Sequence, residues 1–214
     1  MKGFVDFLLV SMILTNLWVL GSSRLPSCIR ALAFQGVAVG LLPFALYPDH
    51  ITWDLLMLAL LSITLKAVVF PHLLRRAMLE ARVDPQVEPF VGHGVSVVIG
   101  MAALALSVAL FRRHPLPIVP PSDLLMPVAV STLLVGLFML IARRKALTQA
   151  LGYLVFENGI QAFGLGVLKH APLMVELGIL LDVFFAVFVM GITIFHIRRA
   201  FATLDTMEMA ELRG

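Results

Sequence analysis

The chain has 214 residues, of which 60% are hydrophobic and 14% are charged, and its mean hydropathy is +1.00. A soluble globular protein has about 45–50% apolar and about 25% charged residues, so this composition excludes that class. The single cysteine, Cys28, excludes a cysteine-ligated iron–sulfur cluster or structural zinc site carried by this chain alone, and the basic residues form short clusters between apolar runs, which is not the pattern of a nucleic-acid-binding surface.

Apolar runs dominate the chain, and each is long enough to be a membrane-spanning helix. About 20 apolar residues are needed to cross the hydrocarbon core of a bilayer. We therefore predict an all-α polytopic membrane protein with about seven transmembrane helices. In chain order the predicted spans lie near Val5–Gly21, Ala31–Leu46, Leu55–Pro71, Val95–Phe111, Leu124–Ile141, Ala146–Leu168 and Leu173–Phe195.

The connections divide the chain into two parts. A proline-rich stretch contains Pro115, Pro117, Pro120 and Pro121 and predicts an extended linker. The predicted organisation is a four-span part over 1–114 with an interfacial segment at 73–90, a linker at 115–123, a three-span part over 124–197, and a cytoplasmic tail at 198–214. No loop is large enough to hold a catalytic domain, so we predict no catalytic residues.

The lysines and arginines predict the orientation. With seven spans, eleven of these residues fall on one side of the membrane and four on the other. Because positive charge accumulates in cytoplasmic loops, we expect the N-terminus outside and the C-terminus in the cytoplasm. The expected location is the inner, or cytoplasmic, membrane.

Four ionisable residues interrupt apolar runs: Lys66 in the third, Glu157 in the sixth, and Glu176 and Asp182 in the seventh. A charged residue at the centre of a membrane helix costs about 3 kcal/mol on insertion scales, and such residues commonly mark ion or proton pathways. Lys66, Glu157 and Asp182 lie at similar depth, which predicts a row of charge across the membrane plane. Glu176 lies nearer the outer end.

The spacing of Glu176 and Asp182 favours a relay over a single chelating site. Six residues correspond to about 240° and about 9 Å along a helix, so the two carboxylates cannot face one neighbouring atom. Asn158 and Gln161 flank Glu157 and predict a polar, hydrated surrounding. We interpret the four ionisable residues as parts of a proton path and the two amides as supporting polar residues.

The sequence is also compatible with structural roles for these residues. Glu157 and Lys66 could form a purely structural ion pair, and Asp182 could be a neutral carboxyl bonded to a backbone carbonyl. The six histidines all fall at or beyond the ends of the predicted spans, so we interpret them as interfacial residues rather than haem or metal ligands. No metal and no cofactor is predicted.

The last third of the chain carries distinctive motifs. One helix reads Gly-Tyr-Leu-Val-Phe-Glu-Asn-Gly over 152–159, and the next reads Val-Glu-Leu-Gly-Ile-Leu-Leu-Asp-Val-Phe-Phe-Ala-Val over 175–187, followed by Thr-Leu-Asp at 203–205. Together with the Lys66 and Pro71-x-Leu73 pattern, these motifs resemble the hydrogenase-4 component E family, membrane subunits of group 4 NiFe-hydrogenase and formate hydrogenlyase-type complexes. The resemblance covers most of the chain; it is specific in spans six and seven and loose in spans one, two, four and five.

The resemblance implies a fold and a role. Spans five to seven of that family are similar to the K subunit of respiratory complex I, which carries a buried glutamate on each of its last two helices. Glu157 matches the first, whereas Glu176 matches the second by residue type and Asp182 by depth; we favour Asp182 and regard Glu176 as an access group. The implied partners are antiporter-like membrane subunits and a hydrogenase- or quinone-oxidoreductase-type redox arm.

The sequence thus predicts a non-redox, non-catalytic subunit of an oxidoreductase complex, with its carboxylates and lysine in a proton or sodium-ion path between the redox arm and the antiporter-like subunits. The bilayer is a further partner, and no nucleic acid is expected. The alternatives are a structural membrane scaffold without a transport role and an autonomous ion transporter.

Overall fold

The computed structural model describes residues 2–48, 51–80, 90–114, 122–167, 173 and 175–191. Every regular element in this part of the chain is a helix. In chain order these are α1 Lys2–Gly21, α2 Leu25–Leu46, α3 Trp53–Thr64, a π-helical segment Leu65–Val69, α4 Phe70–Glu80, α5 His93–Arg113, α6 Leu125–Ala142, α7 Ala146–Val167 and α8 over 175–191.

Within the described residues, five helical segments are long and apolar enough to cross a membrane: Lys2–Gly21, Leu25–Leu46, Trp53–Leu79, His93–Arg113 and Leu125–Ala142. The third consists of α3, the π-helical segment and most of α4, which form one continuous rod. The other two predicted spans are α7, whose middle is polar, and α8, of which 17 residues are described.

Several predicted boundaries can be compared with these helices. The predicted interfacial segment 73–90 begins as a direct continuation of the third span and is helical to Glu80, while 81–89 lie outside the described residues. Most of the predicted linker, 115–121, and the whole predicted tail, 198–214, also lie outside them.

The core of the bundle consists of three layers. Apolar side chains form two clusters at opposite ends, and polar side chains form a layer between them. We call the cluster at the end that bears Arg24 and Arg143 the lower apolar cluster; it includes Leu20, Ile29, Phe70, Met139, Leu151 and Phe185. The upper apolar cluster includes Leu9, Leu42, Leu55, Val128, Leu165 and Val175. The polar layer comprises Asn16, Gln35, Lys66, Thr132, Glu157, Asn158, Gln161 and Asp182.

The helices cross the three layers in one of two opposite directions. α1 runs from the upper cluster through Asn16 to the lower cluster, and α2 returns through Gln35 to the upper one. Three later elements cross the layers in the same direction as α1: the rod made of α3 and α4, then α6, and then α8. α7 crosses them in the same direction as α2. Each of these six rods therefore contributes one polar stretch to the polar layer, and the six stretches lie at the same height in the bundle.

Small residues let α6 and α7 pack with their backbones close together. A Cβ atom on Gly159 would lie 2.7 Å from the backbone nitrogen of Leu133, and one on Gly152 would lie 2.9 Å from that of Leu140. Gly136 approaches the backbone of Phe156 in the same way from α6. Close backbone approach at small residues is the usual way for membrane helices to gain packing energy, since burial from lipid adds little.

Arg143 belongs to a basic cluster in the sequence, which suggests a surface residue, but in the structure it is buried. Its side chain is 1% exposed, and Nη2 donates a hydrogen bond of 3.2 Å to the carbonyl of Leu20 at the C-terminal end of α1. Burial lowers the pKa of the Arg143 guanidinium from its ordinary value. Because a helix C-terminus presents unpaired carbonyls and partial negative charge, this guanidinium stabilises the end of α1.

Candidate functional site

Lys66 enters the bundle from the π-helical segment. The backbone N–H of Phe70 bonds to the carbonyl of Leu65, five residues earlier, so this turn holds one more residue than an α-helical turn. The buried positions Ser62, Lys66, Phe70 and Leu74 are four residues apart in succession, whereas 3.6 residues make a regular turn. The wide turn keeps Lys66 on the inner face, and such turns are frequent at functional sites.

A glycine on α2 makes room for the lysine. A Cβ atom on Gly36 would lie 2.6 Å from Cβ and 3.3 Å from Cδ of Lys66. Real Cβ atoms do not approach this closely, so any larger residue at position 36 must displace the π-helical segment. The absent side chain of Gly36 therefore provides the path along which the Lys66 stem crosses the core.

Lys66 Nζ lies at the centre of the polar layer and is 4% exposed as a residue. It donates to Glu157 Oε1 at 2.7 Å, to Asn158 Oδ1 at 2.9 Å and to Gln161 Oε1 at 2.9 Å. An ammonium has three N–H donors. Its three protons are therefore all engaged by residues of one turn of α7.

Asp182 is the fourth acceptor near the ammonium and receives no hydrogen bond from it. Its Oδ1 lies 3.9 Å from Lys66 Nζ, and the residue is 0% exposed. Among the described residues, neither Asp182 oxygen has a hydrogen-bond partner, and Glu157 Oε2 and Gln161 Nε2 have none either. The cluster thus holds one lysine between two buried carboxyl groups, of which only one is hydrogen-bonded to it.

The buried face of α8 brings Asp182 to this point. Val175, Gly178, Asp182, Phe185 and Val189 recur at intervals of three and four residues, which is one face of a helix. The ring of Phe185 stacks on that of Tyr153 with 5.6 Å between centroids and makes a T-shaped contact with that of Phe70 with 4.9 Å between centroids. Gly178 faces the Gln161 amide. These contacts dock α8 against α7 and α4.

A chain of side-chain hydrogen bonds continues from the cluster into the N-terminal helices. Asn158 Nδ2 donates to Gln35 Oε1 at 3.2 Å, Gln35 Nε2 to Asn16 Oδ1 at 2.8 Å, and Asn16 Nδ2 to Thr132 Oγ1 at 2.9 Å. Thr132 Oγ1 donates to the carbonyl of Val128 at 2.8 Å. Polar side chains from α1, α2, α6, α7 and the π-helical segment are therefore bonded in series.

A small cavity adjoins the ammonium. It has a volume of about 10 Å³ and is lined by Lys66 and Asn158 together with lower-cluster residues that include Ile29, Phe70 and Leu74. This volume is about that needed for one water molecule. The cavity lies on the side of Lys66 that faces the lower apolar cluster.

The structure brings five of the six predicted site residues together: Lys66, Glu157, Asn158, Gln161 and Asp182. Glu176 is exposed on α8, outside the buried face of that helix which carries Asp182. In the described ranges no group of three or more histidine, cysteine, aspartate or glutamate residues is placed to hold a metal ion.

Sequence reasoning missed Asn16, Gln35 and Thr132. It weighed ionisable groups within apolar runs and passed over neutral amides and hydroxyls. A buried amide without a partner also carries a desolvation cost. Gln35 is flanked by Ala-Leu-Ala-Phe and Gly-Val-Ala-Val, and this isolation in an apolar run is the signal that could have identified it.

Comparison with known proteins finds one relative that matches nearly the whole chain. It is 32% identical to the uncharacterized protein Rv0085 of Mycobacterium tuberculosis over 211 residues, which is 98% of this chain and 96% of that protein. The chain belongs to the family of this mycobacterial protein. The match covers nearly the whole chain and is not confined to one part of the bundle.

A second set of relatives matches part of the chain. Hydrogenase-4 component E of Escherichia coli K12 and the protein of the same name from Shigella flexneri are each 32% identical to it over 123 residues. The match covers 56% of this chain and 57% of those proteins, so the chain spans just over half of their length. No family model and no solved structure matches the chain.

Proposed function

We propose that the chain is a non-redox subunit in the membrane arm of a complex I-related hydrogenase or oxidoreductase complex, where Lys66, Glu157 and Asp182 carry protons or sodium ions across the polar layer. The observation that carries the proposal is the buried ammonium between two carboxyl groups, bonded to one and 3.9 Å from the other. A hydrogenase-4 component E homologue and the five apolar helices support the same assignment.

The cluster can couple the position of one cation to the charge of two carboxyl groups. In the arrangement described, Lys66 is paired with Glu157. A second carboxylate without a partner is costly in a dry interior, so Asp182 is protonated in this state. A shift of Nζ by about 1 Å toward Asp182 would stabilise its ionised form, release its proton and leave Glu157 to take one up.

In the proposed function, protons reach the cluster from the lower side of the bundle. The cavity beside Lys66 and Asn158 is large enough for one water molecule and faces the arginine-bearing end of the bundle. Glu176 has a different part. Because it is exposed on α8, we assign it to access between the outer side and Asp182 rather than to the cluster itself.

The orientation and span count are also part of the proposal. α7 and α8 cross the membrane together with the five apolar helices, which makes seven spans. The N-terminus is outside, and the lower end with its arginines faces the cytoplasm. The partners are antiporter-like subunits and a hydrogenase- or quinone-oxidoreductase-type arm in the inner membrane.

Affinity purification of the tagged chain from its native membrane in mild detergent, followed by mass spectrometry, tests the assignment to a complex. We expect antiporter-like subunits and a hydrogenase or quinone-oxidoreductase arm to co-purify. Isolation of the chain alone or as a homo-oligomer contradicts the proposal and favours an autonomous transporter, whose ion uptake in liposomes is then measured.

A structural scaffold is the second candidate, and one observation favours it. All three N–H donors of Lys66 are satisfied by α7 side chains, as expected of an ion pair that only locks two halves of a bundle together. Neutral isosteres distinguish the two functions. Glu157→Gln and Asp182→Asn leave coupled activity unchanged if the cluster is only a lock.

A further inference from the structure

We propose that Thr132, Asn16 and Gln35 form an orienting relay, a fixed series of hydrogen bonds that holds the Asn158 amide with its oxygen toward Lys66. These three are positioning residues for the ion-carrying cluster. Their effect on ion movement rests on the proposed function, whereas the orientation of Asn158 is a property of the fold alone. The relay assigns a role to the N-terminal helices α1 and α2.

The relay has a direction that begins at a backbone carbonyl. Thr132 has one hydroxyl proton and gives it to the carbonyl of Val128, so toward Asn16 its oxygen can only accept. Asn16 must therefore point its Nδ2 at Thr132, which leaves its Oδ1 to accept from Gln35. Each amide in the series is thus oriented by the one before it.

The same logic carries the orientation to Lys66. Gln35 uses its Nε2 group on Asn16 and on the carbonyl of Met12, at 2.8 Å and 3.4 Å, so its Oε1 faces Asn158. Asn158 donates Nδ2 to that oxygen and has only Oδ1 left for the ammonium. Reversing any one amide would set acceptor against acceptor at one of its contacts and donor against donor at the other.

The consequence is an unequal set of partners around the ammonium. Asn158 is held by the relay, whereas the Nε2 of Gln161 has no partner among the described residues, so the Gln161 amide is free to reorient. Lys66 can therefore give up Gln161 and turn toward Asp182 while Asn158 still holds it. The relay fixes the pivot of the movement.

Burial excludes water as a substitute for the relay. Gln35 and Thr132 are 0% exposed, and Asn16 and Asn158 are 4% and 2% exposed. A buried donor or acceptor that loses its partner keeps the cost of desolvation. An apolar replacement at one position therefore leaves the next amide unpaired and free to turn over.

The test compares two neighbouring hydroxyls. Thr132→Val removes the first member of the relay with little change in shape. Ser131→Ala is the matched control, because Ser131 Oγ donates to the same Val128 carbonyl, at 2.9 Å, but takes no part in the relay. Thr132→Ser retains the hydroxyl and is the conservative rescue. Gln35→Met breaks the relay at its centre.

Lysine-labelled ¹⁵N solid-state NMR of the full chain in bilayers reports directly on the Lys66 ammonium, whose resonance is assigned by its loss in Lys66→Met. We expect Thr132→Val and Gln35→Met to shift or broaden this resonance, and Ser131→Ala and Thr132→Ser to leave it in place. An unchanged resonance in Thr132→Val overturns the relay. If Gln35→Met does not fold, the comparison of Thr132→Val with Thr132→Ser decides whether the relay exists.

Measurement of ion translocation by the complex distinguishes failure of the relay from failure of the proposed function. We expect Thr132→Val to slow translocation by roughly ten- to a hundredfold, the range that corresponds to one hydrogen bond to a charged group, with normal rates in Thr132→Ser. A shifted resonance with unchanged translocation supports the relay and contradicts the proposed function. An unshifted resonance overturns the relay whatever the translocation rate.

Discussion

Single residues in the polar layer are chemically unequal, although all of them are buried. Lys66 has three donors for four nearby acceptors, so one acceptor is always left over, and in this structure it is Asp182. A fully matched set would hold the ammonium still. In the proposed function, this mismatch allows the buried lysine to act as a movable charge rather than as a fixed link.

Removal of that charge is expected to destabilise the fold. Lys66→Met leaves Glu157, Asn158 and Gln161 without their donor, and breaking one side of a buried ion pair costs about 3–5 kcal/mol. Thermal unfolding of the purified full chain in detergent measures the loss. The control is Lys2→Met, since Lys2 is exposed and its replacement should leave the midpoint unchanged.

The two carboxylates of α8 are expected to behave differently when neutralised. Asp182→Asn replaces a carboxyl group 3.9 Å from the ammonium, so translocation should stop. Glu176→Gln changes an exposed group outside the cluster, so translocation should slow but persist. Rates in vesicles at matched complex content check this, and an arrest in Glu176→Gln with normal Asp182→Asn would reverse the two assignments.

Individual elements were predictable to different degrees. Long apolar runs predicted the helices, and most ends lie within a few residues of those expected. α2 begins at Leu25 rather than near Ala31, because Pro26 is tolerated in a first helical turn and exposed Arg30 can reach toward the lower end of the bundle. The π-helical segment was not predicted, since its signal is only a run of four-residue intervals among buried positions.

The contact between α2 and the π-helical segment gives a prediction at this scale. Gly36→Ala places a methyl group 2.6 Å from Lys66 Cβ, so the two elements must separate, and overpacking of this kind costs about 1–3 kcal/mol. We expect a lower unfolding midpoint and a displaced Lys66 resonance.

The matched control for that contact is Gly94→Ala in α5. A Cβ atom on Gly94 meets nothing within 4 Å. Since alanine is the better helix former, this variant should be neutral or more stable by up to about 1 kcal/mol. Equal destabilisation of the two variants would contradict the close approach at Gly36.

The molecule as a whole places a polar layer between two apolar clusters. Depth along each apolar run predicted that Lys66, Glu157 and Asp182 would lie at one level. The sequence could not predict which side chains touch, because that depends on the rotation of each helix about its axis. For the same reason, the link from Asn158 through Gln35 to Asn16 could be seen only once α1, α2 and α7 were packed together.

Ion translocation by membrane vesicles that contain the assembled complex tests the central claim most directly, with Glu157→Gln and Asp182→Asn compared against the native chain. Asp54→Asn is the matched control, since Asp54 is exposed in the first turn of α3. We predict that both cluster variants assemble with their partners and lose translocation, while Asp54→Asn retains it. Full translocation by an assembled Glu157→Gln, Asp182→Asn double variant would contradict the account and leave the cluster a structural lock.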